Sequence, residues 1–148
     1  MKLSEFIHLH SIFLDVDVDS KKNLFKEVGS SFEKREKIDS ADIVERLNNR
    51  ERLGSTGVGN GVAIPHAKID NLKKTEVFFY KLKNPIEFSS PDQLPVDLIF
   101  VIVTPESSQS EHLLMLSSIS NFLKNEEAVL QLRKEKIADK VVKVFSKY

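Results

Sequence analysis

The sequence predicts an α/β domain in which a mixed β-sheet is covered by helices. Helical periodicity fills the first third of the chain, β-rich segments fill the middle, and helical periodicity returns from Glu111 onward. The most apolar run, Leu98–Val103, is far too short to cross a bilayer and is typical of a buried strand. With 148 residues and no internal repeat or linker, residues 1–148 are expected to form one domain.

The first elements follow from local patterns. Apolar and polar residues alternate over 13–18, which favours a half-buried strand. Ser20 is a suitable N-cap for a helix over 21–34, although Gly29 within it lowers helix propensity. Its predicted apolar face comprises Leu24, Phe25, Val28 and Phe32. Ser40 precedes a second helical pattern, which is expected to end near Gly54.

The later elements are marked by β-rich segments, prolines and helical spacing. Residues 75–82 and 96–103 are expected to be strands, with the second strand at the centre of the sheet. Residues 83–95 contain three prolines and are expected to form a loop or hairpin connection. Three helices are expected at 112–123, 125–134 and 137–147. Phe78, Phe100 and Phe122 lie within apolar patterns and are core candidates.

Composition excludes several classes of function. Lys and Arg number 22 and Asp and Glu number 22, so no net charge attracts nucleic acid or an anionic membrane in bulk. The absence of cysteine excludes disulfides, thiolate catalysis and cysteine-based zinc sites, and it fits a cytoplasmic location. No secretory signal or membrane-inserting segment is expected.

The segment "LGSTGVGNGVAIPHAK", residues 53–68, holds four of the five glycines. Its G-x-G-x-G spacing differs from the dinucleotide fingerprint, and a helix rather than a strand is expected before it. No Gly-Lys-Ser/Thr ending follows, which excludes a P-loop. Turns and bulges explain the glycines more simply. Pro65 favours extended backbone at Ile64, so His66 is expected near a strand end.

The stretch "NRERLGSTGVGNGVAIPHAK" resembles the phosphorylation-site region of EIIA domains of the fructose/mannitol class of the phosphotransferase system, in particular the nitrogen-regulatory branch. "PIEF", "PVDLIFVIVTPE" and "EHLLMLSSIS" resemble the same family in the same order. The resemblance covers nearly the whole chain. It implies a mixed sheet with helices on both faces and a phosphoryl-carrier domain that needs no cofactor or metal.

The resemblance also implies roles for particular residues. His66 would accept a phosphoryl group, through Nε2, from a histidine-phosphorylated phosphocarrier protein. His112 would hydrogen-bond the phosphate, more strongly if protonated, and Arg50 would stabilise its charge. Ser55 and Thr56 would line the site. Neutral imidazole suits this chemistry because its usual pKa, about 6.5, leaves it nucleophilic near physiological pH.

The resemblance leaves open what happens to the phosphoryl group. Sugar-transporting relatives pass it to a cysteine of an EIIB domain, which here would have to be a separate protein. The stand-alone form favours a regulatory end point in which the phosphorylation state controls binding to target proteins. The family usually has glycine where this chain has Ala67, so a module that binds without transfer is a second hypothesis.

Histidines also raise the question of a metal. His8 and His10 could bind a metal ion, but the simpler interpretation is that they are two exposed residues on one face of an extended segment. His66, His112 and a carboxylate such as Glu111 could together bind zinc in a hydrolase. No H-x-x-x-H or comparable ligand pair supports that third hypothesis.

Overall fold

A computed structural model describes residues 2–148 as a six-stranded mixed sheet between two layers of helices. Two short 3₁₀ turns, Leu3–Glu5 and Leu9–Ser11, precede the first strand. The strands are β1 (Ile12–Val16), β2 (Gly57–Gly59), β3 (Val62–Ala63), β4 (His66–Ile69), β5 (Glu76–Ile86) and β6 (Val96–Pro105). The helices are α1 (Lys21–Glu36), α2 (Ser40–Arg52), α3 (Gln109–Leu123), α4 (Glu126–Lys134) and α5 (Ala138–Lys147). The predicted α/β class is confirmed.

Strand β6 organises the sheet, in agreement with its predicted central position. The strand order is β1-β5-β6-β3-β2, and β4 also pairs with β6. β5 is antiparallel to β6, whereas β3 and β4 are both parallel to it along successive lengths. The break between β3 and β4 falls at Ile64 and Pro65. The short strands β3 and β4 thus pair with the long strand β6, and His66 is the first residue of β4.

Alternation along β5 and β6 divides the interior into two cores, one on each face of the sheet. Buried side chains of α1 and α2 pack on one face, and those of α3, α4 and α5 pack on the other. Phe78 belongs to the first core, and Phe100 and Phe122 belong to the second. Successive strand residues point to opposite faces, so a sheet buried on both sides reads as a continuous apolar run.

Side-chain caps fix the starts of several helices. The Ser20 hydroxyl accepts a hydrogen bond from the Asn23 backbone N–H at 3.1 Å, as the sequence predicts for α1. Helix α2 begins one residue earlier than expected, because the Asp39 carboxylate, rather than Ser40, accepts from the Ala41 N–H. A Cβ on Gly29 would lie 2.7 Å from Ser40 Oγ, so this glycine permits the close approach of α1 and α2.

Strand β5 extends beyond its predicted end. We expected a strand over 75–82 and a connection from 83 onward, but β5 continues to Ile86, which pairs with Val96. The register shifts between Lys81 and Ile86, and Pro85 lies in this irregular part of the ladder. A proline is tolerated there because an irregular ladder does not require every backbone N–H.

The glycine-rich segment forms an antiparallel hairpin, β2–β3, after helix α2. A helix followed by a hairpin is not the strand–turn–helix arrangement that cradles a nucleotide phosphate. Arg133 of α4 fastens the hairpin: its Nη2 donates to the Asn60 carbonyl at 2.7 Å, and it forms an ion pair with Asp97 at 2.9 Å. Gly59 and Gly61 have positive φ, which favours glycine, so they permit the turn of the hairpin that precedes His66.

We expect Gly61→Ala to destabilise the protein by about 1–3 kcal/mol. Gly61 has φ of +78°, and a Cβ there would lie 2.5 Å from Arg133 Nη2 and 3.0 Å from Asp97 Oδ1. Urea unfolding followed by circular dichroism would measure the change in the free energy of unfolding. Val58→Ala is the matched control in the same hairpin, because Val58 is exposed. Equal stability of the two variants would contradict the prediction.

Candidate functional site

Three of the predicted site residues meet at the edge of the sheet where β4 begins. The ring centroids of His66 and His112 lie 5.0 Å apart with an interplanar angle of 61°. Arg50, at the end of α2, reaches the same imidazole: its Nε lies 3.2 Å from His66 Nε2. The three side chains come from a helix end, a strand start and the first turn of α3, so only the folded chain assembles them.

Strand alternation explains the direction of His66. Ala67 and Ile69 of β4 belong to the core on the α1–α2 face. His66 and Lys68, the alternate residues, therefore face the side on which α3 packs. In register, His66 is opposite Ile102 and Lys68 is opposite Thr104 of β6. His66 is thus a partly exposed residue at the start of an edge strand, and its backbone belongs to the sheet rather than to a loop.

The hydrogen bonds of His66 define its tautomer. Nδ1 lies 2.8 Å from the Ile64 carbonyl oxygen, which can only accept, so Nδ1 carries the proton. Nε2 is left with a free lone pair, which accepts from Arg50 Nε–H. The nitrogen with nucleophilic character is therefore Nε2, and the Ile64 carbonyl holds the ring in place.

Burial lowers the pKa of His66 below its usual 6.5, and the nearby Arg50 charge lowers it further. The hydrogen bond to Ile64 and the Glu51 carboxylate act in the opposite direction. The net effect favours the neutral ring near physiological pH. A neutral ring with a free Nε2 is the form that can attack phosphorus.

His112 is buried, and its Nδ1 lies 3.1 Å from the hydroxyl of Thr104. Burial, followed by His66 in its protonated form and by the Lys68 ammonium, lowers the pKa of His112 to about 4. The ring is therefore neutral at physiological pH in this state. A hydrogen bond from His112 to an incoming group would come from a neutral N–H rather than from an imidazolium.

Ser55 and Thr56 support the loop beneath Arg50. The Ser55 hydroxyl donates to the Phe88 carbonyl at 2.6 Å and accepts from the Gly57 N–H at 3.0 Å. The hydroxyl and backbone N–H of Thr56 both donate to the Glu51 carboxylate. Both hydroxyls thus donate to groups outside the loop, Phe88 and Glu51, and their predicted place in the lining of the site stays a prediction.

Three contributors to this site escaped the sequence analysis. Glu51 has a buried side chain that accepts from Thr56 and forms an ion pair with Lys21 at 2.8 Å. Thr104 contacts His112, and the Ile64 carbonyl orients His66. Glu51 could have been suspected as the carboxylate next to Arg50. Thr104 reads as an ordinary strand residue, and a carbonyl has no sequence signal.

Ala67 fits its backbone without strain. It lies within β4 and does not occur among the residues with positive φ in the described part of the chain. Its side chain is buried in the α1–α2 core. The departure from glycine therefore has no cost in backbone conformation at this position, and it gives no reason to expect a defective site.

Neither a metal centre nor a membrane span emerges from the described residues. In the part of the chain from residue 2 to 148, His, Cys, Asp and Glu side chains nowhere form a group of three or more that could hold a metal ion. The zinc hypothesis for His66, His112 and Glu111 thus lacks a ligand set within those residues. Across the same residues, no helix combines the length and apolarity required to cross a bilayer.

The arrangement combines the parts that group transfer to a nitrogen requires. A neutral imidazole presents a free Nε2, and a guanidinium fork lies against it. The neutral imidazole of His112 adds a hydrogen-bonding group nearby, and the ammonium of Lys68 adds positive charge. Such a set can bind a compact anion and stabilise the charge on its oxygens during transfer to Nε2.

Comparison with known proteins agrees with this chemistry. Residues 5–148 match the family model described as phosphoenolpyruvate-dependent sugar phosphotransferase system, EIIA 2. The chain is 37% identical to the nitrogen regulatory protein homolog of Haemophilus influenzae over 150 residues, which cover 98% of this chain and 91% of that one. It is 33% identical to the nitrogen regulatory protein of Bradyrhizobium diazoefficiens over 146 residues, covering 99% and 95%.

A solved structure gives the same result for the fold. The crystal structure of nitrogen regulatory protein IIA-Ntr from Neisseria meningitidis superimposes with a TM-score of 0.91 and 37% identity, covering 97% of this chain and 98% of that one. The family match spans nearly the whole chain and includes the strand, helix end and helix start that carry the site. The chain therefore belongs to the EIIA 2 family of the phosphotransferase system.

Proposed function

We propose that this chain accepts a phosphoryl group on Nε2 of His66 from a histidine-phosphorylated phosphocarrier protein. The observation that carries the proposal is the fixed tautomer: Nδ1–H is bonded to the Ile64 carbonyl, and the free Nε2 lies 3.2 Å from Arg50 Nε. Membership of a phosphoryl-carrier family supports the same reaction.

The proposed step forms one P–N bond and breaks another. The Nε2 lone pair of His66 attacks the phosphorus in line, and the P–N bond of the donor phosphohistidine breaks with its electron pair returning to the donor ring. Nδ1 of His66 keeps its proton, so the phosphorylated ring bears a positive charge. The Ile64 carbonyl accepts from that Nδ1–H and stabilises the charged ring.

Arg50 has two positions in this scheme. Before transfer, its Nε–H donates to the lone pair that will attack, while its Nη1 donates to the Gly54 carbonyl at 3.0 Å. As the phosphoryl group arrives, Nε–H shifts to the phosphoryl oxygens, which carry the spreading negative charge. His112 serves as a second donor to those oxygens.

Exposed leucines around the site favour a protein as the donor. Leu53 follows the helix that carries Arg50 and is 84% exposed, and Leu113 follows His112 and is 57% exposed. Large apolar side chains beside a reactive histidine are typical of a docking surface. The partner chemistry is therefore an apolar patch with a phosphorylated histidine at its centre.

A regulatory end point is the second part of the proposal. The names of the relatives from Haemophilus influenzae and Bradyrhizobium diazoefficiens, nitrogen regulatory proteins, support a chain that signals through its phosphorylation state. Phosphorylation would add negative charge between Arg50 and His112, beside the exposed leucines. Target proteins would then bind one state better than the other. We place this activity in the cytoplasm.

Phosphoryl transfer is tested by incubating the chain with a phosphorylated phosphocarrier protein. The expected product is an acid-labile, base-stable phosphoramidate on His66. Peptide mapping would identify the residue, and ³¹P NMR of the intact protein would distinguish phosphorylation at Nε2 from phosphorylation at Nδ1. A label on another residue, on Nδ1, or on no residue would overturn the assignment.

The low pKa of His66 predicts how the reaction depends on pH. Burial and Arg50 keep the pKa below 6.5, so His66 is mainly neutral above that pH. We expect its capacity to accept phosphate to stay constant from pH 8 to 6.5 and to decline only at lower pH. The donor also contributes to a rate profile. The imidazole titration of His66 should therefore be followed separately by ¹H–¹⁵N correlation spectra, and a midpoint above 6.5 would contradict the prediction.

Onward transfer to a sugar-specific EIIB protein is the second candidate, favoured by the sugar phosphotransferase description of the family. It differs from the regulatory proposal in what consumes the phosphoryl group. A chase of the phosphorylated chain with purified EIIB proteins separates the two: rapid loss of label to an EIIB cysteine supports onward transfer. Retention of label together with phosphorylation-dependent capture of a target supports regulation.

A further inference from the structure

We infer that Thr104 is a positioning residue for phosphoryl transfer: its hydroxyl donates to His112 Nδ1 and thereby keeps the proton of His112 on Nε2. This inference rests on the proposed function, because it assigns a tautomer to the histidine that would bond the phosphoryl group. The geometric basis is the 3.1 Å separation between Thr104 Oγ1 and His112 Nδ1.

Thr104 is a buried polar residue in an otherwise apolar row of β6 side chains. Leu98, Phe100 and Ile102 precede it at alternate positions of β6 and belong to the core beneath α3. Thr104 continues that row and is completely buried. Valine has nearly the same shape and would leave no polar atom to satisfy, so the hydroxyl is explained by the histidine that it contacts.

The direction of the hydrogen bond follows from what each alternative leaves unpaired. His112 Nδ1 is the side-chain partner that the structure gives Thr104 Oγ1 within residues 2–148. If Nδ1–H donated, the buried hydroxyl proton would have no acceptor among those residues. If the hydroxyl donates, its oxygen keeps only spare lone pairs. The His112 Nε2–H is then the unpaired donor, but within residues 2–148 it is not among the buried side-chain atoms without a partner, so water can bond it. This costs less than a buried hydroxyl proton without an acceptor.

The consequence lies on the other ring nitrogen. A neutral imidazole carries one proton, so a bond into Nδ1 places that proton on Nε2. The low pKa of His112 is consistent with a ring that is neutral before phosphate arrives. Nε2 is then a donor, and the ring lies 5.0 Å from His66 by centroids. With the opposite tautomer, a lone pair on Nε2 would repel the phosphoryl oxygens.

The test compares Thr104→Val, which removes the hydroxyl at nearly constant volume, with Thr104→Ser, which retains it. The first readout is the ¹⁵N spectrum of unphosphorylated protein, in which ring shifts and couplings report the His112 tautomer. We expect wild type and Thr104→Ser to show the Nε2–H form, and Thr104→Val to gain the Nδ1–H form. A loss of one hydrogen bond should slow phosphorylation of Thr104→Val by about three- to tenfold, with Thr104→Ser near wild type.

Two results would overturn the inference. One is an Nδ1–H tautomer of His112 in wild type, which needs no variant to be folded. The other is an unchanged tautomer and unchanged rate in a folded Thr104→Val protein. The spectrum is recorded without any phosphoryl donor. If wild type shows the expected His112 tautomer but is not phosphorylated, the proposed phosphoryl-acceptor function is refuted. The assignment of the His112 tautomer to the Thr104 hydroxyl is then retained.

Discussion

Replacing His66 by alanine is expected to abolish phosphorylation of this chain by a phosphorylated carrier. The variant lacks the free Nε2 that lies against Arg50, and His112 is not expected to substitute, because its ring is buried and one of its nitrogens is bonded to Thr104. Without the nucleophile, Arg50 and His112 can still stabilise negative charge, but no atom is left to accept the phosphoryl group. The measurement is incorporation of acid-labile radiolabel at equal protein concentration.

The matched control is His8→Ala. His8 is exposed, and its ring lies beside that of His10, with 5.6 Å between the centroids, so its loss should leave labelling unchanged. His66 is partly exposed at the start of a strand, and its removal should also leave the fold intact, as circular dichroism would show. Label that persists in folded His66→Ala protein would refute the acceptor assignment.

The second large effect is expected at Arg50. Arg50→Met should slow phosphorylation by about 100- to 1,000-fold, the range found when one preorganised donor to a developing negative charge is removed. Arg50→Lys keeps the charge but loses the fork that can bond phosphoryl oxygens and the Gly54 carbonyl together, so an intermediate rate is expected. Single-turnover transfer from the labelled carrier would give the rate directly.

Arg52→Met is the control for net charge in the Arg50 experiment. Arg52 lies in the same last turn of α2, is exposed, and bonds the Asn49 side chain rather than His66. Its loss changes the overall charge equally and should affect the rate little, because exposed charges are screened by salt. Equal slowing in both variants would point to a general electrostatic attraction of the carrier. A rate near wild type for Arg50→Met would refute its role.

Most of the fold could be predicted from the order of patterns along the chain. Apolar runs, caps and turn residues are local signals, and they indicated the central strand, the Ser20 cap and the three final helices. The largest difference lies where a distant partner decides the boundary. Strand β5 continues past Pro85 because Ile86 finds a partner in Val96, and no local pattern reports that pairing.

The site divides in the same way. The site residues could be named from the resemblance to the EIIA family, because each of the motifs around Arg50, His66 and His112 is a continuous stretch of sequence. Their geometry could not, because it depends on which face of β4 each side chain occupies and on where α2 ends relative to that strand. The strain considered for Ala67 also needed a backbone angle, and the structure shows an ordinary strand residue.

The sequence by itself determined the α/β class and the two-sided burial of the central strand, and through the family resemblance it predicted His66 as the phosphoryl acceptor. Only the tertiary structure decided which nitrogen of that histidine is free and which groups surround it. Protonation and pKa follow from hydrogen bonds and burial. Arg50 and Thr104 bond the two rings from other elements, and the Ile64 carbonyl, although close in sequence to His66, has no signal in the sequence. Local patterns therefore specify the elements, and the contacts between elements specify the chemistry.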